Sequence, residues 1–255
     1  MMRWTVVIAY YNEEAFLAAT LDSLAAQTVG RFRLVLVDNG STDASPRIAR
    51  RAMPGVHVVH LSEARPGKIF ALEAAMASIE TELVAFGDAD TFYPPHYLAT
   101  AEAALERPGV VAAMATDVPE DAGKARRKRR HNRIVSRLWP KQTHTGGFGQ
   151  TFRTAALKAA GGYAHRFWPY VLMDHEIMER VLRQGRAVYP YDLWCIPSPR
   201  RSDRRRVRWT RVERLLYHFT PSAAKGWYFH RFLGPRLARR NATHLNLREK
   251  TWEKG

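Results

Sequence analysis

Four short apolar runs, separated from one another by stretches of helical spacing, constrain the fold of this chain more than any other feature. They are WTVVIAYY (4–11), RLVLVDNG (33–40), VHVVHL (56–61) and ELVAFGDAD (82–90). Between them lie EEAFLAATLDSLAAQ (13–27), DASPRIARRAM (43–53) and GKIFALEAAMASI (67–79), which read as helices; in the first, Phe16, Leu17, Leu21 and Leu24 share one side. A strand with one wet face alternates apolar and polar residues, whereas an uninterrupted apolar strand is covered on both faces. Helices alternating with such strands predict an α/β protein built on a mostly parallel sheet with helices on both faces. Ligands of such sheets bind beyond the carboxyl ends of the strands. Three of the four runs end in acid there: Asn12-Glu13, Asp38-Asn39, and Asp88 with Asp90.

The rest of the 255-residue chain is less regular. PPHYLATAEAALERP (94–108) reads as a helix opened by proline, and GVVAAMATDV (109–118) as a strand. GGFGQTFRTAALKAAGGY (146–163) reads as a Gly-rich turn and then a helix stopped by Gly161-Gly162. DHEIMERVLRQGRAVY (174–189) reads as a helix with a glycine stop leading into a strand. With no internal repeat or low-complexity linker, the division expected is a body over 1–210 and a basic, aromatic segment over 211–255.

Asp88 and Asp90 lie at i and i+2, so in extended backbone both carboxylates point the same way. Two like charges this close repel unless a proton or cation relieves them. Mg2+ is commonly held by one or two carboxylates together with substrate phosphates. One reading is therefore a divalent cation neutralising a diphosphate, and the other a solvated turn at a strand end. Asp38 follows four apolar residues, where a carboxylate can accept a hydrogen bond from a base N–H or a ribose hydroxyl; Ser41, Thr42 or Asp43 caps the helix that follows.

The ordered set VVIAYYNEE, LVLVDNGSTD, PGKIFALEAA and LVAFGDAD resembles a family-2 glycosyltransferase of GT-A fold. Further along, GGFGQTFRTAALKAAGGY is similar to that family's acceptor-side segment, MDHEIMERVLRQG to its ED…E…R helix and RRVRW (205–209) to its QxxRW segment, so the likeness covers roughly residues 4–210. The resemblance implies that Ala9, Tyr11 and Glu13 line the nucleotide pocket, that Asp38 binds the base and that Gly67 and Lys68 lie near the nucleotide or its phosphates. Asp88, Ala89 and Asp90 form the DxD motif, with Asp90 favoured as the direct metal ligand. Asp174 matches the family's catalytic base, and Arg208 and Trp209 close over donor phosphates and acceptor. Glu176 stands second to Asp174 on the acceptor side, its bland reading being a helix-surface charge paired with Arg180 at i+4. The sequence departs from the family pattern at Ala9 (usually proline), Asn39 (the second aspartate of VDDGSTD), Glu73 (often asparagine), Met173 (the glutamate of ED) and Arg205 (the glutamine of QxxRW).

The function this implies is inverting, metal-dependent transfer of one sugar from a UDP- or GDP-sugar to a hydroxyl acceptor, with Mg2+ or Mn2+ as cofactor. A metal stabilises the charge growing on the diphosphate and a carboxylate takes the acceptor proton. Forty Lys and Arg against twenty-four Asp and Glu give a net charge of +16, which calls for an anionic partner. Basic runs at 124–133 and 200–211, and aromatic residues interleaved with Arg and His over 209–240, suit an anionic membrane surface. The acceptor expected is accordingly a lipid or lipid-linked glycan, and the role glycolipid or polysaccharide biosynthesis. With one cysteine, Cys195, no internal disulfide forms; no run reaches the ~18–20 apolar residues of a membrane span, and the N-terminus breaks into charge too early for a signal peptide. The expected location is cytoplasmic, peripheral at the membrane's cytoplasmic face. A catalytically inactive glycan- or lipid-binding protein and a nucleic-acid-binding protein are the alternatives. Nucleic acid is not expected, since no RNP, KH, zinc-finger or helix-turn-helix signature occurs. A nucleotidyltransferase is disfavoured because AYYNEE replaces a Gly-rich phosphate loop after the first strand.

Overall fold

The four apolar runs become neighbouring parallel strands in a computed structural model that describes residues 2–51, 53–198 and 209–247. They are β1 (Trp4–Tyr10), β2 (Phe32–Asp38), β3 (Val56–Ser62) and β4 (Leu83–Asp88), joined through α1 (Leu17–Ala25), α2 (Ser45–Ala49) and α3 (Lys68–Met76). The chain continues through β5 (Thr91–Phe92), α4 (Tyr97–Leu105), β6 (Val110–Met114), β7 (Thr116–Asp117), α5 (Ala122–Leu138), β8 (Gly149–Arg153), α6 (Thr154–Ala159), α7 (Met173–Val181), β9 (Arg186–Val188) and β10 (Trp194–Pro197). After residue 209 come α8 (Arg211–Phe219) and α9 (Lys225–Trp227), which runs through a π-helical stretch (Tyr228–Leu233) into α10 (Gly234–Arg239). The main sheet has seven strands in the order β3-β2-β1-β4-β8-β6-β9, and a small sheet has the order β5-β10-β7. Only β8 runs against its neighbours in the main sheet, antiparallel to both β4 and β6.

Both faces of β1, β2 and β4 are dry, as continuous apolar strands require, whereas the edge strand β3 is only partly covered and exposes His57 and His60. Val7, Val35, Val37, Val84 and Phe86 pack with α3, α7 and the segment after α8; Val6, Ile8, Leu34, Leu36 and Ala85 pack with α1 and α4 on the other side. Adjacent residues of one strand thus enter opposite core layers. Tyr217, Tyr228, Phe229, Leu233 and Leu237 belong to the first layer together with Trp168, Met173 and Ile177, so these residues pack on the body, while Phe219 and Trp227 stay exposed.

Three readings of the sequence change. The expected strand over 109–118 divides: β6 joins the main sheet, and β7 pairs with β10 in the small one. The Gly-rich segment at 146 holds a strand, β8, before its helix. Its polar residues disguise it, because Gln150 and Thr151 are fully buried and satisfied internally, by Tyr163 and the Asp174 carbonyl and by the Ala113 carbonyl (2.6 Å). The basic run at 124–133 lies within the 17-residue helix α5, whose N-cap Asp121 accepts a 2.7 Å bond from the Lys124 N–H. Among the described residues no helix is long and apolar enough to cross a membrane.

Candidate active site

The register of three strands gathers the expected donor-side residues. Ala9 of β1 pairs with Asp88 of β4, and Tyr10 with Asp38 of β2. Asp38 and Asp88 therefore flank the end of β1, about 10 Å apart at two strand spacings. The loop after β1 is laced to the loop after β2: Asn12 Oδ1 accepts from Thr42 N–H (2.7 Å), Glu13 N–H donates to Ser45 Oγ (2.7 Å) and Glu14 Oε2 accepts from Ala44 N–H (2.9 Å). This holds Tyr11 and Glu13 at the edge where Asp38 emerges. Asp38 itself spends one oxygen locally, accepting from Ser41 N–H at 2.9 Å. The helix after β2 starts without a side-chain N-cap bond, although Asp43 Oδ1 accepts from Ser45 N–H at 2.9 Å.

Asn39 closes the next part of the rim. Its amide donates to the carbonyls of Glu63 (2.9 Å) and Arg65 (2.8 Å), and its oxygen accepts from Gly67 N–H (2.8 Å). Gly67 has φ 124°, and a Cβ there would overlap the His244 ring, so both backbone and space demand glycine. Lys68 follows at the first turn of α3 and forms an ion pair with Asp88.

The Asp88–Asp90 corner is fixed from behind. Asp88 N–H donates to Tyr93 Oη (2.9 Å), and that hydroxyl donates to the Phe148 carbonyl (2.7 Å). A side chain at Gly87 would collide with the same hydroxyl. Ala89 is buried and its carbonyl accepts from Thr20 Oγ1 (2.9 Å), while the Asp90 carbonyl accepts from Ser198 N–H (2.8 Å). Among the described residues no group of three or more His, Cys, Asp or Glu converges on a point. Asp88 and Asp90 are hard oxygen donors, and such a pair fits Mg2+ or Mn2+ where substrate oxygens complete the shell, which is how such cations are commonly shared with phosphates.

Asp174 reaches the same site from α7. The helix begins after Leu172, which adopts a left-handed conformation (φ 65°). Asp174 Oδ1 lies 3.1 Å from both the N–H and Nδ1 of His175. Burial works against its charge, yet the charge and hydrogen bonds of His175, with Lys68 farther off, hold the carboxyl below its ordinary value. Lys68 thus pairs directly with Asp88, while only its charge is felt at Asp174. The backbone of Gly146 and Gly147 lies against Asp174, where a Cβ on either residue would crowd its side chain. Trp209 stacks edge-on against His175, with ring centroids 5.1 Å apart.

Of the residues expected from sequence, Ala9, Asp38 and Asp88 come to one sheet edge by register, Lys68, just after Gly67, pairs with Asp88, and Trp209 borders Asp174 through His175; Asp90 lies in the turn after β4 rather than in extended backbone with Asp88, and Arg208 lies outside the described residues. Glu176 is paired with Arg180 as anticipated, through two bonds of 2.9 Å, but at 1% exposure it is a buried ion pair rather than a surface one. Both its oxygens being occupied, it is poorly disposed to take a proton from an acceptor. His175, Tyr93 and the hydrogen-bonding role of Asn39 were missed by sequence reasoning. His175 adjoins Asp174 in the chain, a signal available but weak; Tyr93 gave none.

Glycosyl transferase family 2 matches residues 5–166 of the chain. An uncharacterized glycosyltransferase of Nostoc sp. is 31% identical over 115 residues, 44% of this chain and 36% of that protein. The undecaprenyl-phosphate 4-deoxy-4-formamido-L-arabinose transferase of Edwardsiella ictaluri is 32% identical over 163 residues, 61% of this chain and 50% of that protein. The chain therefore spans half or less of the length of these curated relatives. Among solved structures, a mannosyltransferase from Pyrobaculum calidifontis in complex with GDP-Man and Mn2+ superposes with a TM-score of 0.68 at 26% identity, covering 98% of this chain and 75% of that one. With more than half of its residues matched and a mostly parallel sheet of the GT-A kind, the chain belongs to glycosyl transferase family 2.

Proposed function

We propose that this chain is an inverting glycosyltransferase that moves one sugar from a UDP- or GDP-sugar to the hydroxyl of a lipid, a lipid-linked glycan or a related acceptor. The observation that carries the reading is that Asp38 and Asp88 flank the end of β1 at one sheet edge, and that Asp174 stands near enough to Lys68, the partner of Asp88, to feel its charge. The family match supports it, as does the Pyrobaculum calidifontis mannosyltransferase, whose structure holds GDP-Man and Mn2+.

Asp38, between the laced loops after β1 and β2, accepts from the base or ribose, and Tyr11 and Glu13 line the same pocket. Asp88 and Asp90 would hold Mg2+ or Mn2+ jointly with the diphosphate; when bound, the cation neutralises the charge that grows on the leaving nucleotide. Lys68 adds a positive charge on the same side. Asp174, kept ionised by His175, takes the acceptor hydroxyl proton as that oxygen bonds to the anomeric carbon and the carbon–oxygen bond to the diphosphate breaks. One base and one displacement invert the anomeric centre, with no covalent sugar–enzyme intermediate. The segment over 211–255 and a location at the cytoplasmic face of a membrane belong to the same proposal.

Replacing Asp174 with Asn keeps the side chain's size and removes the base. Transfer by Asp174→Asn should fall by about 10²-fold or more, with nucleotide-sugar affinity retained. Undiminished transfer would overturn the assignment of the base.

A further inference from the structure

We infer that the outer faces of α5 and α8 form one docking surface for an anionic lipid bilayer, set directly behind Asp174. Both helices are inverted. On α8 the buried residues are Glu213 and Tyr217, whereas Val212, Leu215, Leu216 and Phe219, spaced i, i+3, i+4 and i+7, are exposed, Phe219 at 77%. On α5 the buried residues are Asn132 and Ser136, while Ile134 and Leu138 face outward. With Trp139, these make up seven of the eleven large apolar side chains exposed among the described residues, so their clustering is not the scatter normal to a surface.

The inward polar faces are fully built, which leaves no internal reason for the inversion. Glu213 closes a capping box with Thr210 and pairs with Arg236 (3.1 Å) and Arg240 (2.9 Å). Asn132 donates to Thr116 Oγ1 at 3.2 Å. The C-terminal ends of the two helices are tied together: Gln142, three residues after Trp139, donates to the His218 carbonyl (2.6 Å) and lies 3.0 Å from His218 Nδ1, next in sequence to Phe219.

Charge selects the occupant. Helix α5 carries eight Lys and Arg and no Asp or Glu. Arg127, Arg130 and Arg137, at i−7, i−4 and i+3 from Ile134, are exposed on its face. An apolar stripe bordered by cations matches acyl chains below anionic headgroups. It does not match a second copy of this chain, whose own patch carries the same positive charge. The inner side of α8 touches the site, with Tyr217 5.9 Å from His175 between ring centroids. A bilayer on the outer side would thus lie about one helix diameter, ~10–12 Å, from Asp174. That a lipid-borne acceptor enters from this side rests on the transferase reading; adhesion of the face to anionic lipid does not.

The test is co-sedimentation of the full chain with vesicles of phosphatidylcholine alone or with 30% phosphatidylglycerol, a composition of about one anionic lipid in three chosen for measurable surface potential. Two variants, Leu215→Ser with Phe219→Ser and Arg130→Glu with Arg137→Glu, alter only exposed side chains. The expected result is binding to anionic vesicles alone, weakened tenfold or more in each variant, with unchanged thermal unfolding and unchanged transfer to a water-soluble acceptor. Equal binding by the variants, no binding by the parent chain, or a dimer in sedimentation velocity that the Leu215→Ser, Phe219→Ser variant abolishes would each overturn the inference. Vesicle binding without any transfer would instead count against the transferase reading.

Discussion

Asn39→Asp, which restores the residue more usual in the resembling family, should damage this protein. Asn39 is 3% exposed, and its amide nitrogen serves two carbonyls, of Glu63 and Arg65, that lie 2.9 and 2.8 Å away. An aspartate offers oxygen where those carbonyls need a donor, so two hydrogen bonds become two repulsive contacts, although the other oxygen still accepts from Gly67 N–H. Leaving a buried acceptor without a donor costs about 1–3 kcal/mol, so the pair amounts to roughly 2–6 kcal/mol. At about 2–4 °C per kcal/mol for a domain near this size, the melting temperature should fall by about 4–24 °C at pH 7. The assay is thermal unfolding followed by circular dichroism, repeated from pH 7 downward. The protonated acid can donate one bond again, so the deficit should narrow as the pH falls. A melting temperature within ~2 °C of the parent at pH 7, less than the loss of a single such bond implies, would refute the reasoning and assign the 63–67 loop some other anchor.

Gly67→Ala should cost several kcal/mol, about 1–3 from the φ of 124° and more from overlap with His244. Adding His244→Ala should recover the steric part alone, which a double-mutant cycle in urea would measure. Glu213 is held below its ordinary value of 4.5: burial opposes this, but the Thr210 N–H, Arg236 and Arg240 outweigh it. A lowered folded-state pKa gives stability that is present above the unfolded value and lost as pH falls through the folded one. Chemical denaturation from pH 7 to 3 should therefore show Glu213→Gln destabilised at neutral pH, with the gap to the parent closing below pH 4.5. By the same sign, Asp174 should lose its proton-accepting form only below its ordinary 3.8, so an acid limb of transfer near pH 6 would have to come from another group.

The sequence made the sheet legible because the rule behind it is local. An uninterrupted apolar strand reports two dry faces, and a carboxylate at its end reports the ligand edge. Asp38 and Asp88 are accordingly legible in the sequence as strand-end carboxylates. Strand β8 was hidden because Gln150 and Thr151 satisfy their polar atoms inside the protein, which composition does not reveal. Glu176 reads from sequence as a second acceptor-side carboxylate or else a surface charge paired with Arg180, and neither reading anticipates its depth, since a carboxylate fully engaged by Arg180 tolerates burial. The i+4 spacing gave the pair, and only packing gave its depth. The mixture of aromatic and basic residues over 209–240 was legible, but not which of them face inward; that depends on Arg236 and Arg240, from α10 and the residue just after it, neutralising Glu213. His175 and Tyr93 act by contacts across the fold or between neighbours, to which periodicity is blind.

The central claim is that the acids at this sheet edge hold a nucleotide diphosphate through a divalent cation. Thermal unfolding of the purified chain with UDP, GDP, CMP and their sugar conjugates, with and without Mn2+, tests it most directly. A ligand at about 100 times its Kd stabilises the fold by ~2.7 kcal/mol, a shift of several degrees. The account predicts stabilisation by uridine or guanosine diphosphates only when Mn2+ is present, abolished by Asp88→Asn with Asp90→Asn. Stabilisation that ignores the metal and survives in that variant, or none with any nucleotide, would contradict it.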